Sequence, residues 1–167
     1  MTEFLTELEN GGFGTWVRES PSMFAYTGLL SLHALGLAFA VGFSWFIALR
    51  ILGFGRALPL AATEGLFPLL WVGFWINAAS GLALLISNAS RDLTNPVFLT
   101  KIALIALAAF SMAVLKRSVF GSPSALDAGV APSSSRLLAG ASIALWTGAI
   151  VAGRLSEYPT LFGFHTR

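Results

Sequence analysis

The sequence predicts an all-α integral membrane protein, a four-helix bundle, and three observations carry that prediction. Of the 167 residues, 56% are hydrophobic and only 11% charged, with a mean hydropathy of +0.77. That apolar excess is too large for one soluble core of this length. Four apolar runs, roughly 23–49, 66–87, 98–115 and 137–153, each have about the 17–25 residues that cross ~30 Å of hydrocarbon as a helix. The breaks between them carry turn chemistry: Gly53, Gly55 and Pro59, then 88–96, then a Ser/Pro/Gly/Ala-rich stretch at 121–135. No internal repeat is evident, so a single membrane domain over 1–167 is expected.

Ahead of the first run, Phe4, Leu5, Leu8, Phe13, Trp16 and Val17 alternate with acids, which reads as a short interfacial helix with Trp16 at headgroup level. Glu3, Glu7, Glu9 and Glu19 against one Arg18 do not resemble a cleavable signal, so the first span is expected to stay in the mature chain. The first and third connections hold Arg50, Arg56, Lys116, Arg117 and Arg136. The remaining cations, Arg18, Arg91, Lys101, Arg154 and Arg167, fall on the other side, so the raw count is tied. Lys116 and Arg117 directly flank a span and the acidic N-terminal segment faces away from them. Both termini are therefore placed outside, in a bacterial periplasm.

Small residues recur every fourth position. Gly73, Asn77 and Gly81 share a face of the second span, Gly140, Ala144, Gly148 and Ala152 a face of the fourth, and the first span adds Gly36 and Ala40. Such stripes let helix backbones approach closely. Polar residues within the spans are few: His33, Asn77, Ser80, Lys101, Ser111, Ser142 and Thr147. With alternating topology, His33, Asn77 and Thr147 fall near the same mid-membrane level, which makes them a candidate polar network. Lys101, three residues into its span, is expected to snorkel to the surface.

An ionisable residue inside a span is a functional candidate by default. For His33 the first chemistry is axial ligation of haem b. His165, in the tail, is the one other histidine of the chain, and a bis-histidine site would need that tail to fold back, with Arg154 meeting a propionate. Met23 and Met112 are weaker partners. The plainer role for His33 is a hydrogen-bonded residue that fixes helix register. There is no cysteine, and no other metal site or Ser–His–Asp set is apparent. Nor is there a basic stripe for nucleic acid.

The residues Glu19-Ser20, Leu32-His33, Gly36-Leu37, Gly42, Leu49-Arg50-Ile51-Leu52-Gly53, Asn95-Pro96, Phe98, Lys101, Leu145-Trp146, Gly153-Arg154 and Tyr158 form a pattern spread over all four spans. It resembles a family of small four-span bacterial inner-membrane proteins catalogued as a domain of unknown function. The resemblance implies the fold and a multi-pass bacterial inner-membrane location, and no activity. In that family the third span often closes on a histidine near where Lys116 and Arg117 stand here, so a site using that histidine would be altered in this chain.

The functional expectation is a non-catalytic membrane subunit or anchor of a larger, electron-transfer assembly, binding haem b or quinone. Its partners would be the lipid bilayer and other proteins or copies of itself. Trp45, Trp71, Phe74 and Trp75 suit lipid or partner helices equally. The alternatives are a small-solute or ion carrier acting as an oligomer, with His33 and Asn77 lining its path, and a purely structural assembly protein.

Overall fold

A computed structural model describes residues 2–158, and every regular element among them is helical. The N-terminal segment forms two short helices, α1 (Thr2–Asn10) and α2 (Gly12–Glu19). Leu5 and Val17 are buried while Phe4, Leu8, Phe13 and Trp16 stay exposed. The alternation of acids and apolar residues thus folds as an amphipathic pair, one face packed and one face bare.

α3 (Tyr26–Leu52) begins three residues after its apolar run because Met23–Ala25 turns, with the Ala25 amide bonded to the Ser22 carbonyl. It ends at Gly53, whose φ of 104° supplies the left-handed cap. A 3₁₀ segment, Leu60–Leu66, leads into α4 (Phe67–Ser87), with Pro68 in the first turn where no amide donor is needed. One turn of helix, α5 (Ala89–Asp92), precedes α6 (Pro96–Leu115). The Asn95 side chain caps α6 by accepting the Val97 amide at 2.9 Å, so this helix starts two residues before its apolar run. It continues past Leu115 as a π turn, Lys116–Phe120. The Ser/Pro/Gly/Ala-rich connection contains a short helix, α7 (Pro123–Ala128). α8 (Ser133–Leu155) starts four residues before its apolar run, because serines and Arg136 make a polar first turn.

Four helices, Tyr26–Leu52, Leu60–Ser87, Pro96–Phe120 and Ser133–Leu155, are long and apolar enough to cross a membrane. They alternate in direction. The starts of α3 and α6 lie with the ends of α4 and α8 at one end, here the tail end, and the long connections at the other, the loop end.

α4 packs on α3, α3 on α8, and α8 on α6. The α3–α4 crossing is the tightest. A Cβ on Gly36 would lie 2.5 Å from the Asn77 amide nitrogen, and one on Gly73 would lie 2.7 Å from the Ala40 nitrogen. The small residues of these two spans therefore bring backbone against backbone. The fourth-span stripe behaves differently. Ala144 is exposed and a Cβ on Gly140 would meet open space, whereas α8 buries Ser135, Ala139, Ser142, Trp146, Ala149 and Ala152. Trp146 takes the inward position, and the stripe divides: Gly140 and Ala144 lie toward the outside, while Gly148 packs on Leu104 and Ala152 is buried. The apolar core is thickest at the loop end, where Ile47, Ile51, Phe67, Leu70, Met112 and Leu115 meet and the Phe67 and Phe120 rings stack edge to face at 5.3 Å.

Candidate functional site at the α3–α4 crossing

His33 lies seven residues inside α3, about 10 Å from the tail end at 1.5 Å per residue. That is shallower than the mid-level position read from the sequence, because α3 begins at Tyr26. The ring reaches across to α4, where its Nδ1 stands 3.0 Å from the Asn77 main-chain oxygen. The Asn77 side-chain amide donates back to the His33 main-chain oxygen at 2.8 Å. These two bonds are reciprocal and tie the helices at one level.

The network also fixes the tautomer. Ser80 Oγ and Asn77 Nδ2 both stand 3.3 Å from Nδ1. Ser80 has a better acceptor in the Ile76 carbonyl at 2.6 Å, and one of the two Asn77 amide hydrogens goes to the His33 carbonyl. Nδ1 therefore carries the proton and donates to the Asn77 oxygen, since two lone pairs 3.0 Å apart would repel. Nε2 then holds a bare lone pair, and it accepts no hydrogen bond from the described residues. An imidazole pinned through Nδ1 with Nε2 left unbonded is the arrangement used by ligating histidines. Glycine at position 81 makes it fit, because a Cβ there would come within 2.9 Å of the His33 ring. Ser80 and Gly81 are the members of this site that sequence reasoning did not attach to His33. Their i+3 and i+4 spacing from Asn77 is the signal that places them on its face.

The other sequence candidates stand apart. Thr147 lies on the exposed side of α8 and spends its hydroxyl on the Ile143 carbonyl, so it is not part of the network. Arg154 is exposed, stacked over the Tyr158 ring and bonded to its hydroxyl at 3.0 Å. Met112 is fully buried in the loop-end core, and Met23 is exposed in the turn before α3. His165 lies outside the described residues. Lys101 lays its stem across Gly153 and sets its ammonium 5.2 Å from the Phe98 ring centre, one turn toward the tail end.

Among the described residues, the α3–α4 crossing itself leaves no slot for a haem. Its macrocycle needs a slot beside Nε2, and the glycines that would line one are already closed: Gly36 and Gly73 by backbone, Gly81 by the His33 ring. Among the described residues no group of three or more His, Cys, Asp or Glu converges to hold a metal ion.

Above this site the tail end is ionic. Arg18 donates to the Glu9 and Ser87 carbonyls at 3.0 and 3.2 Å and pairs with the Glu9 carboxylate. Glu9 accepts from the Ser90 amide and hydroxyl. Those hydrogen bonds, the hydroxyl's foremost, hold its carboxyl below the usual range against a smaller opposing effect of burial. Arg91 pairs with Glu157 at 2.6 Å, and this bond raises its pKa. Asp92 moves the other way: burial pushes its carboxyl up, and the Arg91 charge only partly offsets it.

Among the described residues, four buried polar atoms have no hydrogen-bond partner: the hydroxyls of Ser44 and Ser142 and the indole nitrogens of Trp45 and Trp146. No protein-family model, curated protein or solved structure matches the chain.

Proposed function

We propose that this chain is a non-catalytic, multi-pass membrane subunit that meets a partner or a small ligand through His33. The observation that carries the reading is the half-exposed imidazole with its Nδ1 anchored at 3.0 Å on Asn77 and its Nε2 unengaged. In hydrocarbon a bare acceptor is costly, so a donor from outside the chain is expected to complete it. A hydroxyl or amide of a neighbouring helix, or the hydroxyl of a quinol, has the required chemistry. A bacterial inner membrane, with the tail end periplasmic, fits the resemblance and the charges. Each end holds five cations, and at the loop end Lys116 and Arg117 directly follow a long helix, where a cation weighs most on orientation.

The test is purification of the whole chain in mild detergent, with an absorption spectrum and mass analysis of what stays bound. A stoichiometric partner or an organic ligand is expected with the wild type, lost in His33→Phe and partly kept in His33→Gln, which restores an acceptor. A bare monomer, or identical behaviour of all three proteins, overturns the reading. The carrier alternative has weaker support, because Asn77 gives an amide hydrogen to the His33 carbonyl and backbone contacts at Gly36 and Gly73 close the crossing beside it. It predicts solute flux in proteoliposomes that falls in Asn77→Ala.

A further inference from the structure

At the loop end, arginines collect around the last turn of α3. Arg50 is 7% exposed and donates to the Leu58 carbonyl at 2.7 Å and the Gly129 carbonyl at 3.4 Å, stapling both connections to the helix. Arg56 donates through Nε to the Gly53 carbonyl, and Arg136, from α8, donates to the Leu52 carbonyl. Two exposed guanidiniums from different parts of the chain thus sit on consecutive carbonyls. Each guanidinium offers five N–H donors. Apart from the one donor each spends on its carbonyl, those of Arg56 and Arg136 make no hydrogen bond to the described residues. All four ion pairs among the described residues lie at the tail end, and no described carboxylate pairs with Arg56 or Arg136.

A helix C-terminus attracts cations, and that alone explains one arginine. It does not explain three, with Lys116 and Arg117 exposed at the same end of the bundle. The apolar neighbours complete the picture. Phe54 is 64% exposed and Leu137 is 78% exposed, each within two residues of an exposed arginine. A free inorganic anion has no use for them, whereas a lipid brings a phosphate to the guanidiniums and acyl chains to the flanking apolar side chains.

We propose that the corner formed by Arg56 and Arg136 over the C-terminus of α3 is a binding site for the headgroup of an acidic phospholipid. The guanidiniums grip the phosphate in the forked, two-bond manner open to arginine. A zwitterionic lipid is disfavoured because its ammonium would meet two exposed arginines and, among the described residues, no paired carboxylate.

The test uses the full chain in phosphatidylcholine nanodiscs with and without phosphatidylglycerol, read by native mass spectrometry of retained lipid and by the thermal midpoint. The wild type is expected to retain phosphatidylglycerol preferentially and to melt higher in its presence. Arg56→Gln and Arg136→Gln should each reduce the preference about fivefold, and the double variant should nearly abolish it. Arg91→Gln, at the opposite end, should leave the preference unchanged. Both positions are exposed, so folding of the variants is checked by an unaltered midpoint in pure phosphatidylcholine. The proposal is overturned if the double variant keeps the wild-type preference, or if Arg91→Gln lowers it equally. Inorganic phosphate matching the effect of phosphatidylglycerol in phosphatidylcholine discs would overturn the lipid as the source.

Discussion

At the scale of single residues, the α3–α4 crossing separates two kinds of holding force. Asn77 contributes hydrogen bonds, and Gly36 and Gly73 contribute close approach. Hydrogen bonds between helices in a bilayer average about 0.6 kcal/mol and reach about 1.7. Asn77→Leu should therefore cost about 0.5–2 kcal/mol in a reversible unfolding titration in mixed micelles. Gly73→Val should cost more, because its side chain would meet the α3 backbone and force the helices apart. A larger loss from Asn77→Leu would show that polar bonding dominates. Ser44 and Ser142 invert the usual expectation for a serine. Their hydroxyls are desolvated without a bond, so Ser44→Ala and Ser142→Ala should be neutral or stabilising by about 1 kcal/mol. A loss above that would reveal a partner for the hydroxyl. The pairing of His33 with Asn77 was legible from spacing alone, since both had to satisfy polar atoms at similar depth. The isolation of Ser44 and Ser142 was not, because a serine in a helix ordinarily bonds the carbonyl one turn back and nothing in the sequence forbids it here.

At the scale of elements, α1 and α2 form a strap latched across the α4–α5 turn by Arg18 and Glu9. The Glu9 carboxyl is held below its ordinary value, so its contribution is fully present above that ordinary value. It disappears as pH falls through the depressed folded value. Amide exchange in α1 and α2 should accordingly stay slow through mildly acidic pH and rise only below the ordinary glutamate range. Glu9→Gln should raise it already at neutral pH, and slow exchange in that variant would refute the latch. Asp92 carries the opposite sign. Its folded pKa is raised by burial, so the fold is favoured while Asp92 is protonated and loses that advantage as pH rises through the raised value. Asp92→Asn should thus raise the thermal midpoint at neutral pH, with the difference closing in acid. Neither effect was readable beforehand, because contact between Glu9 and Ser90 spans 81 positions of sequence. Apolar runs located the four long helices well. Their ends were set by local chemistry that hydropathy averages away: the Asn95 cap, the Gly53 left-handed turn and the serines opening α8.

At the scale of the whole molecule, the two ends differ in how their charge is used. Among the described residues, tail-end cations are engaged: Arg18 with Glu9 and Arg91 with Glu157 and Asp92 as ion pairs, Arg154 with Tyr158 and Lys101 with the Phe98 ring. Loop-end cations donate to carbonyls or remain exposed, and none forms an ion pair among the described residues. The tied count of Lys and Arg in the sequence hid this, because pairing is a property of the fold. Lys116 and Arg117 directly follow the third long helix at this end, and cations so close to a span set the expectation that the loop end faces the cytoplasm. The chain contains no cysteine, so single cysteines can be introduced as clean reporters. Ser22→Cys, exposed in the turn before α3, should react in intact cells with a thiol reagent that enters the periplasm but not the cytoplasm. Ser134→Cys, exposed in the first turn of α8, should react only after the membrane is opened. The reversed pattern would place the arginine corner outside and break the link between charge and orientation. Labelling of both in intact cells would mean that the four long helices do not form one fixed bundle across the bilayer. Neutralising Arg56 and Arg136 together removes two of the five loop-end cations, so the same pair of reporters should then show a mixed population. An unmixed result in that variant would assign the orientation to Lys116 and Arg117, which directly follow the third long helix.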